Sequence, residues 1–141
     1  MSLAKGVRFQ CQRCGRCCHT REDAGIVELT RADQVRLARF FETSVEELVD
    51  RWCQRIGDMI ALRDKQGTSA CILLEPGGCR AWKARPLQCR TWPFWPEHLK
   101  KGAFEREVAP ICPGVGKGRL WDGETVRVIA RLQRRADRSA R

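Results

Sequence analysis

The sequence predicts a small α+β domain, irregular and metal-stabilised. It should carry two or three helices, a short hairpin, long cysteine-bearing loops and a C-terminal amphipathic helix. Three observations lead there. The chain has 141 residues, one domain's worth and enough to bury a real core. Nine of them are cysteines, several times ordinary usage. Apolar residues recur at helical spacing behind capping residues, while glycine and proline break the rest into short pieces. Hydrophobic residues make up 43% and charged residues 31%, a globular balance. The longest apolar run, around residues 71–74, is far too short to span a membrane.

Residues 7–10 read as a short strand, and 11–20 as an irregular, arginine-rich loop. Residues 26–29 read as a second strand. Thr30 with Asp33 makes a capping-box start for a helix whose apolar side is Leu37, Ala38 and Phe41. Ser44 with Glu47 starts the next helix. Its stripe is Val45, Leu48, Val49, Trp52, Cys53 and Ile56, and Gly57 should end it. Residues 59–63 and 70–74 predict a hairpin around 65–67, and 75–78 a turn. From Cys79 to Cys112, prolines at 86, 93, 96 and 110 predict short helical or loop pieces, followed by a glycine loop over 112–118. Asp122 can cap a last helix. The expected organisation is a cysteine-cluster metal-binding domain over 1–118, with a basic C-terminal helix over 119–141 packed on it or extending from it.

The first ten residues contain no apolar stretch of the secretory kind, so the expected compartment is the cytoplasm, where thiols stay reduced. Nine cysteines there call for metal or cluster binding before catalysis. Cys11, Cys14, Cys17 and Cys18 form C-x2-C-x2-C-C. Two-residue gaps turn neighbouring thiolates toward one point. Adjacent cysteines are hard to aim at a single ion and suit a polynuclear centre, or two centres sharing the loop. Cys71, Cys79, Cys89 and Cys112 form no local motif but fall in loops and at element ends. Cys53 lies on the helical stripe and reads as core.

These blocks resemble a known family. F-Q-C-Q-R-C-G-R-C-C, I-V-E-L-T-R-A-D, C-I-L-L-E-P-G-G-C, R-P-L-Q-C-R-T-W-P-F and C-P-G-V-G-K-G follow the order of the CxxCxxCC, or YkgJ-type, cysteine-cluster family of zinc- or iron-chelating domains. Trp92 stands where the family carries Phe or a similar aromatic, a mild departure. The resemblance covers most of 9–118. It implies Cys11, Cys14, Cys17, Cys18, Cys71, Cys79, Cys89 and Cys112 as the chelating set, and no settled reaction.

The expected cofactors are iron–sulfur clusters or zinc ions. Thiolates serve both, and the triple x2 spacing with nearby prolines fits iron–sulfur slightly better. Arg13, Arg16, Arg80 and Arg90 each adjoin a cysteine and should lower thiolate pKa. His19 is a candidate ligand or hydrogen-bond donor to a thiolate, with a solvated loop position the stronger reading. His98 reads as surface. Trp82, Trp92, Phe94 and Trp95 should wall a cluster off from water. Gly114-Val-Gly-Lys-Gly118 fails as a phosphate loop, because Gly follows Lys117 and Ile111 replaces the upstream glycine. No catalytic constellation emerges, so the expectation is not an enzyme by itself.

The net charge of +10 raises the question of partners. Arg127, Arg131, Arg134, Arg135 and Arg138 fall on one side of the last helix. That stripe would suit nucleic-acid phosphates or an acidic or redox protein partner, with no membrane role.

Overall fold

The structure is a computed structural model and describes residues 5–18 and 26–139, without the side chains of Arg138 and Ser139. His19 and the Arg138 side chain therefore lie outside the described residues.

Both predicted helix starts are present, the first as a full capping box and the second through the Ser44 side chain. Helix α1 spans Arg31–Phe40. The Thr30 hydroxyl accepts from the Asp33 amide at 3.0 Å, and the Asp33 carboxylate accepts from the Thr30 amide at 3.0 Å. Helix α2 spans Val45–Trp52, with the Ser44 hydroxyl accepting from the Glu47 amide at 3.1 Å.

Helix α2 stops four residues earlier than its apolar stripe predicted. Cys53–Ile56 is strand β2, paired antiparallel with strand β3, Met59–Leu62. Gly57, at φ +60°, supplies the left-handed residue that this two-residue turn needs. Strand β3 is also bonded on its other side. Leu29 donates to the Ile60 carbonyl at 2.8 Å, and Leu62 donates to the Val27 carbonyl at 2.9 Å. Completed ladders on both sides of β3 outweigh extension of the helix along its stripe. Residues 26–29 are thus an edge segment bridged at Glu28 to Ala61 rather than a full strand. The hairpin predicted for 59–63 and 70–74 persists only around the Asp64–Cys71 bridge.

Strands β4 (Leu74–Glu75) and β5 (Gly78–Cys79) close the turn expected over 75–78. Short pieces follow, as the prolines predict: 3-10 turns at Trp82–Ala84 and Pro96–Leu99, helix α3 at Leu87–Thr91 and a π-helical turn at Phe104–Val108. The glycine loop is partly a strand. Strand β6, Val115–Trp121, pairs antiparallel with β1, Val7–Phe9, placing Val7 opposite Trp121. Helix α4 spans Gly123–Ser139, capped where Asp122 accepts from the Thr125 amide at 2.8 Å. Among the described residues there are four α-helices and the π-helical turn, against the two or three helices expected.

Two apolar clusters hold these elements. The first gathers Leu29, Leu37, Leu48, Trp52, Cys53, Leu62 and Leu73 from α1, α2 and the β2–β3 region. The second gathers Val7, Phe9, Trp92, Phe94, Trp95, Phe104, Val108 and Val126 from β1, the proline-broken segment and α4. His98, expected at the surface, is only 5% exposed. Its ring stacks on Trp95, and its Nδ1–H donates to the Pro93 carbonyl at 2.7 Å, which satisfies one polar atom of a buried imidazole. Among the described residues, no helix is long and apolar enough to cross a membrane.

Candidate metal centre

Cys11, Cys14, Cys17, Cys18, Cys71, Cys79, Cys89 and Cys112 all line one cavity of about 530 Å³. Cys53 does not, and is instead buried in the first apolar cluster. The first four cysteines follow β1 on a loop that ends in the 3-10 turn Arg16–Cys18. That turn is tied to the β-bridged segment by a 2.6 Å bond from the Cys71 amide to the Cys18 carbonyl. Cys79 closes strand β5.

Cys89 sits on α3, whose N-cap Pro86 offers no side-chain cap. Asp33 supplies one from a distance. Its Oδ1 accepts from the Leu87 amide at 3.0 Å and from the Arg36 guanidinium at 2.6 Å. A carboxylate at the start of a helix is favoured by the exposed amides and the helix dipole. Cys112 is brought to Cys11 by glycine. Gln10 donates to the Gly114 carbonyl at 3.1 Å, and a Cβ on Gly114 would stand 2.3 Å from the Gln10 carbonyl oxygen. No side chain fits that approach.

Four thiols accept a backbone hydrogen bond from two residues downstream. The Arg13 amide donates to Cys11 Sγ at 3.4 Å, and the Arg16 amide to Cys14 Sγ at 3.5 Å. The Leu73 and Ala81 amides do the same for Cys71 and Cys79. Such donors stabilise sulfur when it is anionic. Burial works against them. It pushes the Cys71 thiol up to about 11 and Cys89 well above the ordinary range, and it raises Cys11 and Cys79. At Cys11, Cys71, Cys79 and Cys89 burial therefore outweighs the lowering expected from the neighbouring arginines.

The arginine that most often faces the thiols is one the sequence did not single out. Arg85 lowers Cys11, Cys79 and Cys89 electrostatically. Its guanidinium stacks 3.6 Å above the Trp82 ring centroid, where Arg13 also stacks at 4.1 Å. Arg13, Arg16 and Arg90 line the cavity as well. Arg80 instead lies over Phe41, at 5.2 Å. Trp82 and Trp92 form part of the wall, while Phe94 and Trp95 are buried in the second cluster behind it.

The donor set fits a thiophilic metal or cluster: thiols in an apolar wall, amides aimed at sulfur, and guanidiniums to balance charge. It does not fit a single preformed ion cage. Among the described residues, no three His, Cys, Asp or Glu side chains form a group that could hold one metal ion.

An uncharacterized protein of Methanocaldococcus jannaschii is 30% identical over 91 residues, covering 63% of this chain and 46% of that protein. The chain thus spans about half the length of that curated relative. No solved structure gives a significant match. Residues 10–113, which hold all eight cavity cysteines, match the CxxCxxCC family described as "Putative zinc- or iron-chelating domain", and the chain belongs to that family.

Proposed function

We propose that this protein holds iron–sulfur or zinc through the thiolates of Cys11, Cys14, Cys17, Cys18, Cys71, Cys79, Cys89 and Cys112, and that it serves a redox or accessory role in the cytoplasm. Residues 1–118 act as the metal-binding unit, with residues 119–141, which end β6 and carry the basic helix α4, resting on it. The observation that carries the reading is the convergence of eight thiols, from four separate stretches of chain, on one cavity. Family membership supports the metal-binding part. Iron–sulfur is the favoured occupant, because the cavity is wider than one ion needs and its wall is apolar. Metal binding releases thiol protons and supplies folding free energy. The test is elemental analysis and a visible spectrum of air-free protein. A band near ~400 nm with stoichiometric iron and sulfide supports iron–sulfur chromophores. Colourless protein carrying only zinc rejects iron–sulfur and keeps the thiolate site. Protein with neither metal rejects the reading.

A second reading concerns partners. Arg127, Arg131 and Arg134 are exposed along α4, with Asp122 within electrostatic reach of Arg127 at the helix start. Such a stripe favours an anionic partner, nucleic acid or acidic protein. Salt-sensitive binding to RNA or DNA should weaken when the three are changed together to Ala. Unaltered binding rejects this role.

A further inference from the structure

Helix α4 is held to the body along one side. Val126 and Ala130 are buried there. Gln133, also buried, accepts from the Thr91 hydroxyl on α3 at 2.7 Å and donates to the Asp137 carboxylate at 2.9 Å. These contacts fix the rotation of the helix about its own axis and turn Asp137 toward Gln133. The opposite side is therefore presented in one orientation.

Two large apolar residues stand in solvent on that side. Val128 is 41% exposed and Leu132 is 47% exposed. They lie one helical turn apart and make a continuous patch with a rise of about 6 Å. Arg127, Arg131 and Arg134 are exposed beside them. At 100° per residue the five fall within about 160° of arc, with the arginines along one edge and Val128 and Leu132 along the other. A single exposed aliphatic residue is ordinary, but a pair in register with a row of arginines makes a face of two bands.

The apolar band separates the anionic partners that the arginines alone would accept. Nucleic-acid phosphates would pair with the guanidiniums and leave Val128 and Leu132 in water, and α4 carries no aromatic residue on which a base could stack. A membrane surface holds a helix through a broad apolar face rich in Trp, Phe or Leu, and two aliphatic side chains make a narrow one. A second copy of this chain would set arginine against arginine. An acidic amphipathic helix satisfies both bands at once. Its Leu or Ile residues pack on Val128 and Leu132, and its carboxylates meet the guanidinium forks.

Resting on the anionic-partner reading above, we propose that the outer face of α4 is a docking surface for an amphipathic helix of another protein, one that carries Asp or Glu alongside an apolar stripe. The arginines steer and orient that helix, and Val128 with Leu132 select it over other polyanions.

The experiment uses the purified full chain. The main probe is a labelled synthetic helix of Glu, Leu and Ala, with Leu at helical spacing and Glu beside it. The others are its scrambled isomer, of equal charge and composition, an oligouridine RNA and vesicles of phosphatidylglycerol with phosphatidylcholine. The amphipathic peptide should bind about tenfold more tightly than its isomer, and Val128→Gln with Leu132→Gln should abolish that difference. Both residues are exposed, so the variant keeps its fold, checked by circular dichroism. Equal binding of the two isomers, or unchanged peptide affinity in the variant, overturns the docking surface. RNA bound through the arginines while the peptide stays free overturns it and keeps the anionic-partner reading. Vesicles bound in preference to the peptide overturn it in favour of a membrane. No binding of any probe overturns both the docking surface and the reading beneath it.

Discussion

The Cys71 amide donates to the Cys18 carbonyl at 2.6 Å, so the backbone already joins the N-terminal cysteine loop to the segment that carries the fifth cavity cysteine. This bond lies at the wall of the proposed centre. Metal removal should loosen it. Treatment with a strong chelator is expected to lower Tm, and to speed hydrogen exchange at 69–74 more than in α1. Equal exchange in both segments, before and after chelation, would show that metal does not organise this wall.

Asp33 is 1% exposed and serves two helices, capping α1 through Thr30 and α3 through Leu87. Asp33→Ala leaves the Leu87 amide and part of Arg36 without their partner. A loss of about 2–3 kcal/mol is expected from unsatisfied buried groups. Because α3 carries Cys89, metal retention should fall too, whereas Thr30→Ala should cost only about 1 kcal/mol, as a lost cap. Denaturant titration with metal analysis checks both. Full metal retention in Asp33→Ala would separate α3 placement from ligation.

Cys53 is buried in the first apolar cluster and absent from the cavity wall. Cys53→Ala should keep full metal content and cost about 1–2 kcal/mol as a buried truncation. Cys71→Ser should lose metal and stability together. The comparison is read by metal stoichiometry and melting. Metal loss in Cys53→Ala at the level of Cys71→Ser would place a ligand outside the proposed set.

The pH dependence has opposite signs with and without metal. Burial raises Cys53 from 9.0 to about 11 in the folded chain. Its proton is held more tightly when folded, so this contribution to stability is fully present below about pH 9 and lost as pH rises through 11. The stability gap between the metal-free wild type and Cys53→Ala should therefore narrow over that window. A gap constant from pH 8 to 11 in denaturation would contradict it. Metal loading needs thiolates, so cation affinity should instead fall as pH drops and raised thiols such as Cys71 compete for protons.

Helix starts were legible because their signal is local: Thr30 with Asp33 and Ser44 with Glu47 sit three residues apart. The end of α2 was not, because Cys53 and Ile56 continue a helical stripe, whereas in the strand they fall on opposite faces and leave Ile56 exposed. Only the ladder to β3 decides between them. Cys11, Cys14, Cys17 and Cys18 were legible from their C-x2-C-x2-C-C spacing, whereas Cys71, Cys79, Cys89 and Cys112, which share no local motif, joined the set only through the family resemblance. Arg85 and the Asp33 cap on α3 were not legible. Asp33 lies 54 residues from Leu87, and Arg85 reaches Cys11 from far along the chain. His98 misled although its partners are close in sequence. A polar residue behind Pro96-Glu97 reads as exposed until Trp92 and Trp95 are seen to enclose it.

Trp82 and Trp92 stand on the wall of the thiol cavity. Indole emission responds to heavy or coloured species at short range, so the polypeptide carries its own optical gauge of occupancy. Loading and release can be followed on the untagged chain, in real time and without a dye.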